Sequence, residues 1–290
     1  MRILNPPVFL LDPSEEFRPD TVIRETGWEF RKYRSDIDDP ALNSVYQTYF
    51  DMHSNQTVDF VNEKMAHWTK FDKFKLPMLE ALDLLNSFVD SSDPDIALPN
   101  AVHAYQTAER IRATYPNEEW FHFAGLVHDL GKVMALYDEP QWAVVGDTFP
   151  VGCAVAPSVV LQESTFSNNP DTKDTRYNTK LGMYEEGCGL DNVTMSWGHD
   201  EYMYRVLKHN NCTIPQHGLD IIRYHSFYPW HTGGDYQHLC NQKDRDTLQW
   251  ILAFNKFDLY TKKDKIPDMA VLRPYYQTLV DKFCPGDISF

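Results

Sequence analysis

Residues 119–133 read EWFHFAGLVHDLGKV, and the polar residues set among the apolar ones decide the fold. At helical spacing Trp120, Phe121, Phe123, Ala124, Leu126, Val127 and Leu130 leave almost no polar arc, so the spacing predicts a helix buried on nearly every side. Such a helix needs other helices packed around it. Within it lie His128 and Asp129, with Gly131 expected to break the C-terminal end. An imidazole and a carboxylate in an apolar interior demand partners.

Working outward, the partners are found on other apolar faces. Between Ala101 and Tyr115 the residues Ala104, Ala108, Ile111 and Tyr115 recur at helical spacing, with His103 on the shoulder of the stripe. His199 opens a core-facing run that continues through Tyr202, Met203, Val206 and Leu207. After His217, the residues Gly218, Ile221, Ile222 and His225 share one face. The last long helix is expected to carry Leu248, Ile251, Leu252, Asn255, Asp258 and Leu259 on another, with Asp244 or Asp246 as its N-cap. Strand signals are few. Trp142–Val145, ended by Gly146-Asp147, is the best candidate for a short extended piece, and Ser91–Pro99 and Thr165–Asn178 read as loops. The expected class is an all-α helical bundle with few short strands.

A single core-facing histidine is usually a hydrogen-bonded structural group, and His122 reads that way. His53, His67, His209, His217 and His238 lack the helical context and stay unassigned. His103, His128, His199 and His225, with Asp129 and Asp258, are a different case. Left unpaired in an apolar interior they would cost roughly 1–3 kcal/mol each, and metal coordination satisfies all of them together. Neighbouring residues on a helix point about 100° apart, so His128 and Asp129 cannot chelate one ion from the same side. A carboxylate has two oxygens and can bridge two ions, which makes the expected site dinuclear. Imidazole and carboxylate without thiolate suit iron or manganese and argue against a structural zinc.

Composition narrows the alternatives. A chain of 290 residues buries roughly three quarters of its unfolded surface, enough for an interior site. A formal net charge of -15 repels phosphate backbones and anionic lipid, so nucleic acid and membrane surfaces are poor partners. Five cysteines, an odd number without a CxxC pair, favour reduced thiols and a cytoplasmic location. The apolar run Ile3–Leu11 is broken by Pro6 and Pro7, so residues 1–30 read as an extended arm, not a signal peptide, ahead of one domain over 31–290. The longest uncharged stretch, Thr148–Gln162, is too short to span a bilayer. Without a secretory signal, the N-x-S/T triplets at Asn55, Asn192 and Asn211 are chance matches. A soluble monomer is expected.

With these residues in hand the chain resembles the HD-domain superfamily and, within it, the myo-inositol oxygenase family. The matching segments are long: Gln56–Phe60, Leu126–Lys132, Gln141–Cys153, Met195–Tyr202, His225–Asp235 and Phe254–Tyr260. The resemblance runs from about Phe30 to the C-terminus. It implies that His103, His128 and Asp258 hold one iron, that His199 and His225 hold the other, and that Asp129 bridges a mixed-valent Fe(II)/Fe(III) pair. It further implies myo-inositol contacts at Lys132, Asp147 and Ser226, with Gly146, His199, Asp200 and His225 beside them, the loop residues Asp90, Ser91 and Ser92 nearby, and Arg31 as a lid residue. Lys132 and Asp129 would be the catalytic pair. The implied activity is cleavage of the inositol ring by dioxygen to D-glucuronate.

Two other readings compete. An HD-type metal-dependent phosphohydrolase can use a similar ligand string, but the chain lacks an evident Arg and Lys cluster for phosphates. A metal-stabilised helical scaffold would tend to have a closed site.

Overall fold

The structure is a computed structural model that describes residues 40–93, 98–260 and 266–290. The arm expected over residues 1–30 and Arg31 lie outside the described residues. The described residues begin with α1 (Pro40–Asn55) and α2 (Val58–Trp68), then β1 (Lys75–Pro77) and α3 (Met78–Asp83). The central helices follow as α4 (Asn100–Thr114) and α5 (Glu119–Val127). A long irregular stretch holding the one-turn α6 (Gln162–Thr165) leads to α7 (His199–His209), α8 (Gln216–Tyr224) and α9 (Tyr228–His231). The chain closes with α10 (Gln242–Tyr260), α11 (Met269–Phe283) and β2 (Asp287–Ser289). The architecture is all-α, with helices packed around α5: α4, α8 and α11 touch it directly, and α7 and α10 pack on α8.

As its sequence requires, α5 is buried from Trp120 to Val127. Phe121, Phe123, Leu126 and Val127 are fully enclosed, and each such burial contributes about 1.5–3 kcal/mol. The helix is shorter than its sequence predicts. It ends at Val127 with His128 as C-cap, and a 3₁₀ turn takes over from Leu130 to Leu136. His128 and Asp129 thus lie in the junction between two kinds of helix, not inside one. His128 Nδ1 sits 2.9 Å from the Gly125 carbonyl, satisfying an acceptor the ending helix leaves open. Gly131 serves a purpose other than breaking the helix: a Cβ there would lie 2.2 Å from the His199 carbonyl oxygen, so only glycine lets the start of α7 approach.

Four further expectations are corrected. Trp142–Val145 is not extended; Gln141–Ala143 form a 3₁₀ turn, and the two strands among the described residues are β1 and β2, antiparallel with Leu76 opposite Ile288. Neither expected aspartate is the N-cap of α10, which starts earlier. Asn241 Oδ1 accepts from Asp244 N while Asp244 Oδ2 accepts from Asn241 N, a reciprocal cap. Nor is α10 the last long helix, because α11 follows, capped by Asp268 and continuing through Pro274. Cys212 and Cys284 are joined as a disulfide with Cα atoms 4.4 Å apart, whereas Cys153, Cys188 and Cys240 are free. Packing of α11 against the loop after α7 brings together two cysteines 72 residues apart. Among the described residues, no helix is long and apolar enough to cross a membrane.

Candidate metal centre

Five helices deliver the polar residues to a single place. His103 comes from the first turn of α4, His128 and Asp129 from the end of α5, His199 from the start of α7, His225 from the C-cap of α8, and Asp258 from α10. Asp129 stands between two groups. Its Oδ2 faces His128 Nε2 at 3.5 Å and His103 Nε2 at 3.9 Å, both of which also meet Asp258 Oδ1, at 3.3 and 2.8 Å. Its Oδ1 faces His199 Nε2 at 3.2 Å and His225 Nε2 at 3.7 Å.

The rings are oriented from behind. His128 Nδ1 meets the Gly125 carbonyl, His199 Nδ1 the Val144 carbonyl at 2.7 Å, and His225 Nδ1 the Ile222 carbonyl at 3.1 Å. A proton on each Nδ1 serves these carbonyls, which turns every Nε2, the nitrogen available to a cation, toward Asp129 and the neighbouring rings. His128 Nε2 is buried without a hydrogen-bond partner, as a ligand nitrogen awaiting a cation would be. His103 is the exception, since its Nδ1 has no partner.

Charge points the same way. A cavity of about 700 Å³, including its open mouth, adjoins the cluster. Among the described residues lining it, Asp90, Asp93, Asp129, Asp147 and Asp258 are acidic, and Lys132 is the one fixed cation. Burial would raise the carboxyl pKa of Asp129, but the Lys132 ammonium and His128 hold it well below the usual range. Burial is likewise outweighed at Asp258, by His103 and His128. Both are anions at neutral pH, so the cluster favours added positive charge. Metal ions would supply it, and the donor set of imidazole nitrogen and carboxylate oxygen fits iron or manganese.

Lys132 is buried, with Nζ 2.8 Å from both Asp129 Oδ2 and Asp90 Oδ2. Burial alone would lower its pKa; the two carboxylates raise it, so it stays charged. Asp90 is tied in turn to its own loop, accepting from Ser92 N at 2.8 Å and Ser92 Oγ at 2.6 Å. Gly146, at φ +89°, turns the chain so that Asp147 enters the cavity wall, where Tyr49 OH lies 3.3 Å from Asp147 Oδ1. Ser226 lines the cavity with Oγ 3.4 Å from His199 Nε2.

Two expected substrate residues sit elsewhere. Ser91 does not line the cavity; its Oγ accepts from Thr48 Oγ1 and its backbone N–H donates to Gln141 Oε1. Asp200 is buried outside the lining, with Oδ1 3.0 Å from His225 Nδ1, the nitrogen turned away from the cluster. That placement suits orienting the ring more than touching a ligand. Tyr49, Asn100 and Tyr228 line the cavity without having been singled out from the sequence. Tyr49 had a signal, because it shares a buried stripe of α1 with Val45, Met52 and His53 and carries a polar tip. His122 is structural, bonded to the Tyr275 hydroxyl and the Tyr115 carbonyl.

Comparison with known proteins agrees with this geometry. The sequence profile of the family described as myo-inositol oxygenase matches residues 42–290. Inositol oxygenase from Danio rerio is 55% identical over 96% of this chain and 99% of its own. Inositol oxygenase from Homo sapiens is 56% identical over 96% and 98%, and inositol oxygenase 4 from Arabidopsis thaliana is 50% identical over 91% and 83%. By both measures this chain belongs to the myo-inositol oxygenase family.

Proposed function

We propose that the chain is a di-iron oxygenase that cleaves the ring of myo-inositol with dioxygen to give D-glucuronate. The observation that carries this reading is Asp129, a buried carboxylate with one oxygen toward each of two histidine groups. His103, His128 and Asp258 would hold one iron and His199 and His225 the other, as a mixed-valent pair bridged by Asp129. Bound iron supplies the one-electron chemistry that lets a polyol react with triplet dioxygen. In balance, one bond between two carbinol carbons breaks. One carbon becomes the carboxylate and the other the aldehyde carbon, while one dioxygen is reduced, leaving one oxygen atom in the acid and one in water.

The side chains set up that chemistry. A ring with a hydroxyl on every carbon offers donors throughout, and the acids of this cavity accept them. Asp147 and Ser226 would orient the polyol, with Asp90 and Ser92 at the loop side. Lys132 remains protonated, so it donates a hydrogen bond to a reacting hydroxyl and favours that oxygen's negative charge, but cannot take its proton. Beyond the proposed ligands, the described lining would set Asp90, Asp93 and Asp147 against a phosphate ester with Lys132 as its fixed cation, which disfavours the phosphohydrolase reading.

An oxygen electrode combined with product analysis tests the proposal. One dioxygen consumed per inositol, with glucuronate formed and phosphate esters untouched, is the expected result. Phosphate release without oxygen uptake would overturn it.

A further inference from the structure

Asn100, the first residue of α4, is buried, and nothing about its local position explains how it is used. Its Nδ2 donates to Asp129 Oδ2 at 2.8 Å, the same oxygen that accepts from Lys132. Its Oδ1 is buried with no hydrogen-bond partner. A carboxylate only accepts, so the amide nitrogen must face it and the carbonyl must be the atom left unpaired. An unpaired buried acceptor costs stability. A residue kept for packing alone would be apolar here, and one kept as a helix cap would turn its oxygen toward the first-turn N–H groups.

We infer that Asn100 is a positioning residue for the two-ion centre. Its amide and the Lys132 ammonium together pin Asp129 Oδ2, which fixes the rotation of the carboxylate. Oδ1 is then presented to His199 and His225, and Oδ2 to His103 and His128. Lys132 alone cannot define that rotation, because its flexible stem ends in an ammonium shared with Asp90. Asn100 can, because its backbone N–H is held by the Phe88 carbonyl at 2.9 Å and its helix carries His103 one turn on. Donor and metal ligand thereby move as one body. The inference rests on the reading of Asp129 as a bridge between two ions.

Manganese(II), which binds without redox chemistry, is the probe. Asn100→Leu keeps similar volume while removing both the donor and the orphaned carbonyl. The metal-free variant should melt within a few degrees of wild type. Its affinity for the second manganese ion should fall roughly tenfold to a hundredfold. The exchange-coupled electron paramagnetic resonance signal of the manganese pair should weaken relative to bound metal. If Asn100→Leu does not fold, Asn100→Ala is read the same way. Unchanged affinity and coupling in either folded variant overturns the inference. Fewer than two ions in the wild type would instead count against the two-iron reading.

Discussion

Replacing Lys132 with methionine separates the catalytic from the structural use of that side chain. Lys132 is 6% exposed, and its ammonium lies 2.8 Å from two carboxylates, Asp129 and Asp90. Removing one partner of a buried ion pair costs about 3–5 kcal/mol, since the remaining charge is left desolvated. At about 2–4 °C per kcal/mol for a chain of this size, metal-free Lys132→Met should melt roughly 6–20 °C below wild type. The loaded variant should lose less, because bound cations still neutralise Asp129. Metal affinity should hold or rise, since a positive charge beside Asp129 has gone. Catalytic efficiency should nevertheless fall on the order of a hundredfold to a thousandfold, the worth of a preorganised donor at a developing negative charge. Calorimetry with and without metal, metal quantification and turnover belong on one preparation. A metal-free melting temperature within 2 °C of wild type, together with turnover within about threefold, would refute the reasoning.

Two further outcomes follow from features away from that ion pair. His53 is enclosed by Tyr49, Phe149 and Phe166, and burial pushes its imidazole down from 6.5 to about 3. The unfolded chain therefore binds the extra proton across that window, so stability falls as pH drops below about 6.5, by up to about 1.4 kcal/mol per unit. In His53→Gln that part of the acid slope should vanish, and denaturant unfolding at several pH values would show an unchanged slope if the assignment is wrong. Gly131→Ala would put a methyl group 2.2 Å from the His199 carbonyl, forcing α7 away from the 3₁₀ turn. A loss of about 1–3 kcal/mol in stability is expected, with weaker metal binding because His199 opens that helix. Wild-type metal affinity in a folded variant would show that the contact is slack.

The helices and the candidate ligands were legible in the sequence for one reason: each ligand violates its surroundings. His128 among Phe, Leu and Val, or Asp258 on the stripe of α10, contradicts the local apolar pattern, and the contradiction is visible without knowing the fold. What was hidden depends on partners distant along the chain. Gly131 stands for a contact with the start of α7, 68 residues on, that no local signal announces. The Cys212–Cys284 bond and the β1–β2 pairing join segments set by the packing of α11 and the C-terminus.

Asn100 shows the limit most sharply. Asparagine beside a helix start obeys the local rule, so it raises no contradiction. Only the structure shows its amide spent on a carboxylate 29 residues away, with its own carbonyl unpaired. A residue that serves a site by obeying local preference is therefore harder to see than one that serves it by breaking local preference. By this logic, the residues that orient a buried centre will be under-read from sequence wherever the ligands themselves are plain. The wall of this cavity agrees: a net charge of -15 was evident from composition, but not that, among the described residues, five aspartates would share one cavity with a single ammonium. That concentration of charge, which a sequence total cannot locate, is what favours a cation there.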